Sequence, residues 1–88
     1  MIARLTPLGP TARAVAANIR ARRATLGLSY EGVVARLQLQ GHYATQQLLS
    51  RIELGQRRVD VDDLVALAAA LDTTPAELLT PASTRKSS

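Results

Sequence analysis

The segment from Thr45 to Gly55 is the part of this sequence that most constrains its fold. It opens with threonine, whose side chain can cap a helix N-terminus, and closes with glycine, which suits the position after a helix C-terminus. Between them, Leu48, Leu49 and Ile52 recur at helical spacing, and polar side chains fill most other positions. The pattern predicts a short helix that packs against the rest of the chain along one side.

Similar start signals predict four further helices. The residues Thr11, Ser29, Asp60 and Thr74 each precede a stretch with apolar residues at helical spacing, and each belongs to a residue type favoured at the N-cap. The first of these helices is expected to span roughly residues 12–26. The sequence shows no convincing strand. We therefore expect an all-α fold, a compact bundle of five helices.

One domain accounts for most of the 88 residues. Residues 1–10 are expected to form an irregular N-terminal arm, because Pro7 and Pro10 interrupt both helix and sheet pairing. Residues 11–80 form the predicted domain. Residues 81–88, rich in serine and threonine, are expected to be a disordered tail.

Charge is distributed unevenly along the chain. Residues 1–58 contain nine arginines and two glutamates, whereas residues 59–84 contain five acids and no base. A basic half in a small protein favours a polyanionic partner, and a solubilising surface is the alternative.

Composition argues against several classes of function. The chain has no cysteine and one histidine, His42, so it predicts no disulfide, metal site or cofactor. No acid lies close to His42 in sequence and no glycine-rich phosphate loop is present, so we expect no enzyme and a solvated histidine.

The sequence contains no signal peptide or membrane-spanning run, so a cytoplasmic protein without membrane partners is expected. Tyr30 and Tyr43 are its only aromatic residues, too few for stacking on single-stranded nucleic acid.

Three stretches of sequence, residues 19–29, 50–58 and 64–79, carry a family resemblance. Together they resemble the Cro/phage-repressor helix-turn-helix family, which includes the xenobiotic-response-element regulators, over roughly residues 13–80. The start of the third helix is similar to that of some lambdoid repressors. Residues 27–33 and 58–61 are more similar to the DNA-binding domain of the actinobacterial BldD-like regulators. The resemblance implies a lambda-repressor-like domain that binds double-stranded DNA, usually as a homodimer on a palindromic operator.

The third helix carries the candidate base contacts. Gln46, Gln47, Ser50 and Arg51 lie away from its apolar stripe. Glutamine can form paired hydrogen bonds with adenine, and arginine can do the same with guanine. Recognition helices present their N-terminal residues to the bases, which favours the two glutamines.

Candidate phosphate contacts come from several segments: Tyr30, Thr45, Arg57, Arg58, Arg20 and Arg23. For Thr45 and Tyr30 this role is implied by the resemblance, and half-buried packing is the alternative for Tyr30. Glu53 is interpreted as a structural acid, which leaves open that Arg20, Arg22 or Arg23 pairs with it instead of flanking DNA.

The connection between the second and third helices departs from the family pattern. About five extra residues lie around Gln38–Ala44, where Gly41 is expected to stop the second helix. Either that helix runs a turn longer or the connection is a loop. The BldD-like regulators also carry a ligand-binding second domain, for which this chain has no room.

The sequence therefore predicts a transcriptional regulator that acts as a dimeric repressor. The alternative is an antitoxin that masks a toxin and represses its own operon. The dimer surface is expected either in the arm, through Ile2 and Leu5, or around Leu78 and Leu79, with a core position as the default for Leu79.

Overall fold

The computed structural model describes residues 8–82; residues 1–7 and 83–88, which hold most of the predicted arm and tail, lie outside that range. Within it the chain forms five α-helices and no strand. They are α1 (Pro10–Leu26), α2 (Tyr30–Leu39), α3 (Gln46–Glu53), α4 (Val61–Ala70) and α5 (Pro75–Leu79). The predicted all-α fold is confirmed.

Side-chain caps form at four of the predicted helix starts. Ser29, Thr45, Asp60 and Thr74 each accept a hydrogen bond from the backbone N–H three residues later. The carboxylate of Asp63 in turn accepts a hydrogen bond from the backbone N–H of Asp60, which completes a capping box. Each cap contributes on the order of 1 kcal/mol to helix stability.

The first helix begins earlier than predicted. Gly9 is its N-cap and Pro10 its first residue, and no side chain caps it, so the prediction for Thr11 is wrong. Proline fits here because the first N–H of a helix has no intrahelical partner and the ring fixes a suitable φ.

The connection between α2 and α3 contains a loop, one of the two predicted alternatives. The second helix continues to Leu39, and residues 40–45 then form a loop. Gly41 has a φ of +75°, a left-handed conformation that glycine adopts without steric cost. We call residues 40–45 the α2–α3 connection.

The core forms where the helices meet. The first helix packs against α3 and α5, the second against α3 and α4, and α4 against α5. The largest fully buried side chains are Ile19, Val33, Leu37, Leu49, Ile52, Leu71 and Leu78. Leu79 is 41% exposed, so its predicted core position is wrong; α5 buries one side only, and Leu78 occupies it.

Candidate DNA interface

The third helix is held by its apolar side and exposes its polar side. Leu49 and Ile52 are almost fully buried between α1 and α2. Gln46, Gln47 and Arg51 are exposed. Because its apolar side packs in the core, α3 holds these polar side chains in fixed positions at the surface, as a helix that enters the major groove requires.

Ser50 is half-buried, so of the four candidate base contacts it is the least accessible. The short, half-buried side chain of Ser50 extends less far towards a base edge than the exposed side chains of α3. Thr45 keeps its hydroxyl oxygen engaged as the cap of α3, accepting from the N–H of Leu48 at 3.0 Å. The hydroxyl hydrogen can still be donated, so capping and a phosphate contact are compatible for Thr45.

A surface recess of about 300 Å³ beside α3 brings candidates from separate segments together. We call it the helix-three recess; it is lined by Tyr43, Thr45, Gln47, Leu48, Arg51, Arg57 and Asp63. It therefore joins two predicted base contacts with two predicted phosphate contacts. Backbone N–H groups at the nearby N-terminus of α3 add partial positive charge.

The remaining candidate phosphate contacts occupy different places. Arg58 is exposed beside Arg57 in the loop after α3. Arg20 is also exposed, but it borders a different recess, next to Leu54 and Gly55 at the C-terminal end of α3. The structure does not bring Arg20 to the helix-three recess.

Arg23 and Tyr30 belong to an internal network around Glu53. Two guanidinium nitrogens of Arg23 donate to the Glu53 carboxylate at 2.7 and 2.9 Å, and the third donates to the carbonyl of Leu28 at 2.9 Å. Tyr30 donates its hydroxyl to Glu53 at 3.2 Å, and the Arg23 guanidinium lies 4.3 Å from the centre of its ring. The hydrogen bond to Glu53 raises the pKa of Arg23 above its ordinary value, which burial partly opposes. These contacts favour the structural alternative for both residues over phosphate binding.

Two further arginines stabilise the C-terminus of α4. Arg22 donates to the carbonyls of Leu71 and Asp72 at 2.8 and 2.9 Å, and Arg36 donates to that of Ala70 at 2.9 Å. The last carbonyls of a helix lack intrahelical partners and carry partial negative charge, so both arginines complete this end.

His42 pairs with an acid, so its predicted solvated state is wrong. Its Nε2 lies 2.9 Å from Oδ1 of Asp63, the third residue of α4. The two residues are 21 positions apart, and no local pattern could have linked them. Asp63 and Tyr43, which both line the helix-three recess, were not among the candidate residues either.

Among residues 8–82, no group of three or more His, Cys, Asp or Glu side chains could hold a metal ion. No helix in that range is long and apolar enough to cross a membrane.

Comparisons with known proteins bear on the fold and on the family of the chain. The crystal structure of a hypothetical transcription factor, NHTF from Neisseria, is similar in fold, with a TM-score of 0.76 and 23% sequence identity. The match covers 93% of this chain and 95% of that one. None of the curated proteins matches. Residues 14–80 match the family described as a helix-turn-helix domain. The chain therefore belongs to the helix-turn-helix family of DNA-binding domains.

Proposed function

We propose that this protein is a transcriptional regulator that binds double-stranded DNA with sequence specificity through α3. One observation carries the proposal: Gln46, Gln47 and Arg51 are exposed on a helix whose opposite side is buried in the core. Their amide and guanidinium groups have the donor and acceptor patterns that distinguish adenine and guanine in the major groove.

Affinity and specificity are assigned to different side chains. The three residues of α3 supply base preference, whereas Arg57 and Arg58 bind phosphates. Phosphate neutralisation releases counterions, so the affinity should fall with salt concentration.

We further propose that two copies act together as a repressor of the Cro/phage-repressor type, with features of the BldD-like regulators. Each chain supplies one reading helix, and related dimers place two of them about 34 Å apart along DNA. An apolar groove, whose lining includes Val61, Leu64 and Leu79, is the candidate dimer surface. Val61 is 76% exposed and Val65, one turn further along α4, is 58% exposed.

The groove lies next to the proposed DNA surface. Arg57 borders both the groove and the helix-three recess. In a two-fold symmetric dimer formed through the groove, the DNA-binding surfaces of the two copies would therefore lie on either side of the interface. The alternative surface around Ile2 and Leu5 lies outside the described residues.

The central experiment is selection of binding sites from random duplex DNA. The expected result is an enriched palindromic site whose half-sites each contain adenine or guanine positions assignable to α3. Recovery of random sequence would contradict the proposal.

Sedimentation velocity with Val61→Asp tests the dimer, because the substitution places a charge in the apolar groove. An acid in the first turn of α4 interacts favourably with the helix dipole, so the helix should still form. Wild-type association that persists in this variant would remove the groove as the interface.

The second candidate function is that of an antitoxin. The same exposed apolar groove supports it, since a partner protein would cover such a surface as well as a second copy would. A toxin-like gene adjacent to this one, together with copurification of the two products, would favour it over a dedicated repressor.

A further inference from the structure

We propose that Tyr43 makes the helix-three recess a binding site for a DNA backbone phosphate, which its hydroxyl would bind together with Arg57. This inference rests on the proposed function, since it requires that α3 faces DNA. It assigns a binding role to the α2–α3 connection, the segment that departs from the family pattern.

The residues on either side of Tyr43 are held by the fold, and Tyr43 itself is exposed. Its side chain is 81% exposed, whereas the next residue, Ala44, is only 4% exposed. On the other side, His42 is tied to Asp63. A large aromatic side chain held between two anchored residues is available to a ligand instead of packing on its own chain.

The connection that carries Tyr43 is fastened to the helices around it. The side-chain amide of Gln40 donates to the carbonyl of Ala66 in α4 at 3.0 Å. The backbone N–H of His42 donates to the carbonyl of Leu37 at 3.0 Å, and its ring pairs with Asp63 at 2.9 Å. Binding through Tyr43 would therefore cost little loop-ordering entropy.

The groups around the recess suit a phosphate. Tyr43 and Thr45 offer hydroxyl donors, and Arg57 offers a guanidinium. Asp63 is the one acid in the lining, and both of its carboxylate oxygens are engaged within the chain, with His42 and with the backbone of Asp60. Those bonds occupy both oxygens, and the guanidiniums of Arg51 and Arg57 in the same lining outnumber the single negative charge of Asp63.

The position of Tyr43 favours the backbone over a base. Tyr43 precedes the N-cap of α3 by two residues and lies in a loop, whereas Gln46 and Gln47 form the first turn that enters the groove. Contacts from such flanking segments fix the register of a protein on DNA without reading its sequence.

The test replaces Tyr43 with phenylalanine, which removes only the hydroxyl. Affinities are measured for the selected duplex and for an unrelated duplex of equal length. Loss of one hydrogen bond to a charged phosphate should weaken binding to both duplexes by about ten-fold or more. The site preference should stay unchanged, and so should the salt slope, because no charge is removed.

Leu39→Ala is the matched control. Leu39 is 89% exposed at the end of α2 but does not line the recess, so its replacement should leave affinity at the wild-type value. An equal loss in both variants would overturn the site, as would Tyr43→Phe binding like wild type. A changed base preference in Tyr43→Phe would show base reading instead and would also overturn it. Failure of the wild-type protein to select any duplex would instead refute the proposed function.

A double-mutant cycle tests how Tyr43 is positioned. His42→Ala should weaken binding to both duplexes because it frees the connection, with helix content by circular dichroism unchanged. Combined with Tyr43→Phe, it should add little, since both changes remove the same contact. Fully additive losses would show that His42 does not position Tyr43 and would overturn this part of the proposal.

Discussion

Three arginines of α1 and α2 differ sharply in setting from the arginines of α3 and the loop after it. Arg22, Arg23 and Arg36 donate to acceptors of their own chain and join helices to each other. Arg51 and Arg57 are exposed and border the helix-three recess. The same residue type thus joins helices in one region and, in the proposed function, contacts DNA in the other.

This difference refines what the charge distribution means. Arg22 still contributes to the long-range attraction of a polyanion, because a guanidinium keeps its charge when it hydrogen-bonds to a carbonyl. The charges of Arg23 and Arg36 are offset by the carboxylates of Glu53 and Asp72. A guanidinium that is held by acceptors of its own chain has fewer N–H groups, and less freedom of movement, for a close phosphate contact. The expected DNA-binding surface is therefore narrower than the basic half of the sequence suggests, and it centres on α3.

The largest effect should come from breaking the internal pair. Arg23→Ala leaves the carboxylate of Glu53 without its main partner, although that side chain is only 2% exposed. Removal of one member of a buried ion pair costs about 3–5 kcal/mol of unfolding free energy. Urea denaturation followed by circular dichroism measures it. A loss of stability as small as that for a surface arginine would group Arg23 with the exposed Arg51 and Arg57.

Replacing Gln46 or Gln47 with alanine should affect binding instead of folding. Loss of a base-reading glutamine should cost about 1–3 kcal/mol of binding free energy and relax the preference at one position per half-site. Both side chains are exposed, so stability should stay within about 0.5 kcal/mol of wild type. Site selection on each variant provides the readout. Two unchanged site preferences would refute the proposed register of α3.

A smaller loss of stability is expected for Arg22→Ala. It leaves the carbonyls of Leu71 and Asp72 without their charged donor, which should cost about 1–2 kcal/mol of unfolding free energy. Binding to the selected duplex should be unchanged under conditions where the variant is fully folded. If the variant is as stable as wild type but binds DNA more weakly, Arg22 belongs with the DNA-contacting arginines, Arg51 and Arg57.

The sequence predicted the helix starts well because caps are local. A side chain at Thr45, Asp60 or Thr74 bonds a backbone N–H three residues away, so the pattern contains the whole interaction. Pro10 was misread because proline both ends helices and begins them.

Contacts between distant segments could not be predicted in the same way. The sequence left open whether Arg20, Arg22 or Arg23 pairs with Glu53, because the choice depends on how α1 packs against α3. The bond between His42 and Asp63 likewise requires the fold to bring α4 to the α2–α3 connection. The composition of α3 predicted a reading helix, but not the recess beside it.

The smallest effect, and the most direct test of the comparison, contrasts two exposed arginines. Arg57→Ala and Arg20→Ala remove the same side chain from surface positions, but only Arg57 borders the helix-three recess. Arg57→Ala should weaken all duplexes about equally and reduce the salt slope of binding by about 1, because one phosphate is no longer neutralised. Arg20→Ala should leave the slope unchanged, since Arg20 belongs to α1 and borders a different recess, next to the C-terminal end of α3. Affinities titrated against salt for both variants decide between them. Equal reductions of the slope in the two variants would mean that DNA contacts extend along the whole of α3. A reduced slope in Arg20→Ala alone would reverse the proposed orientation of the helix on DNA.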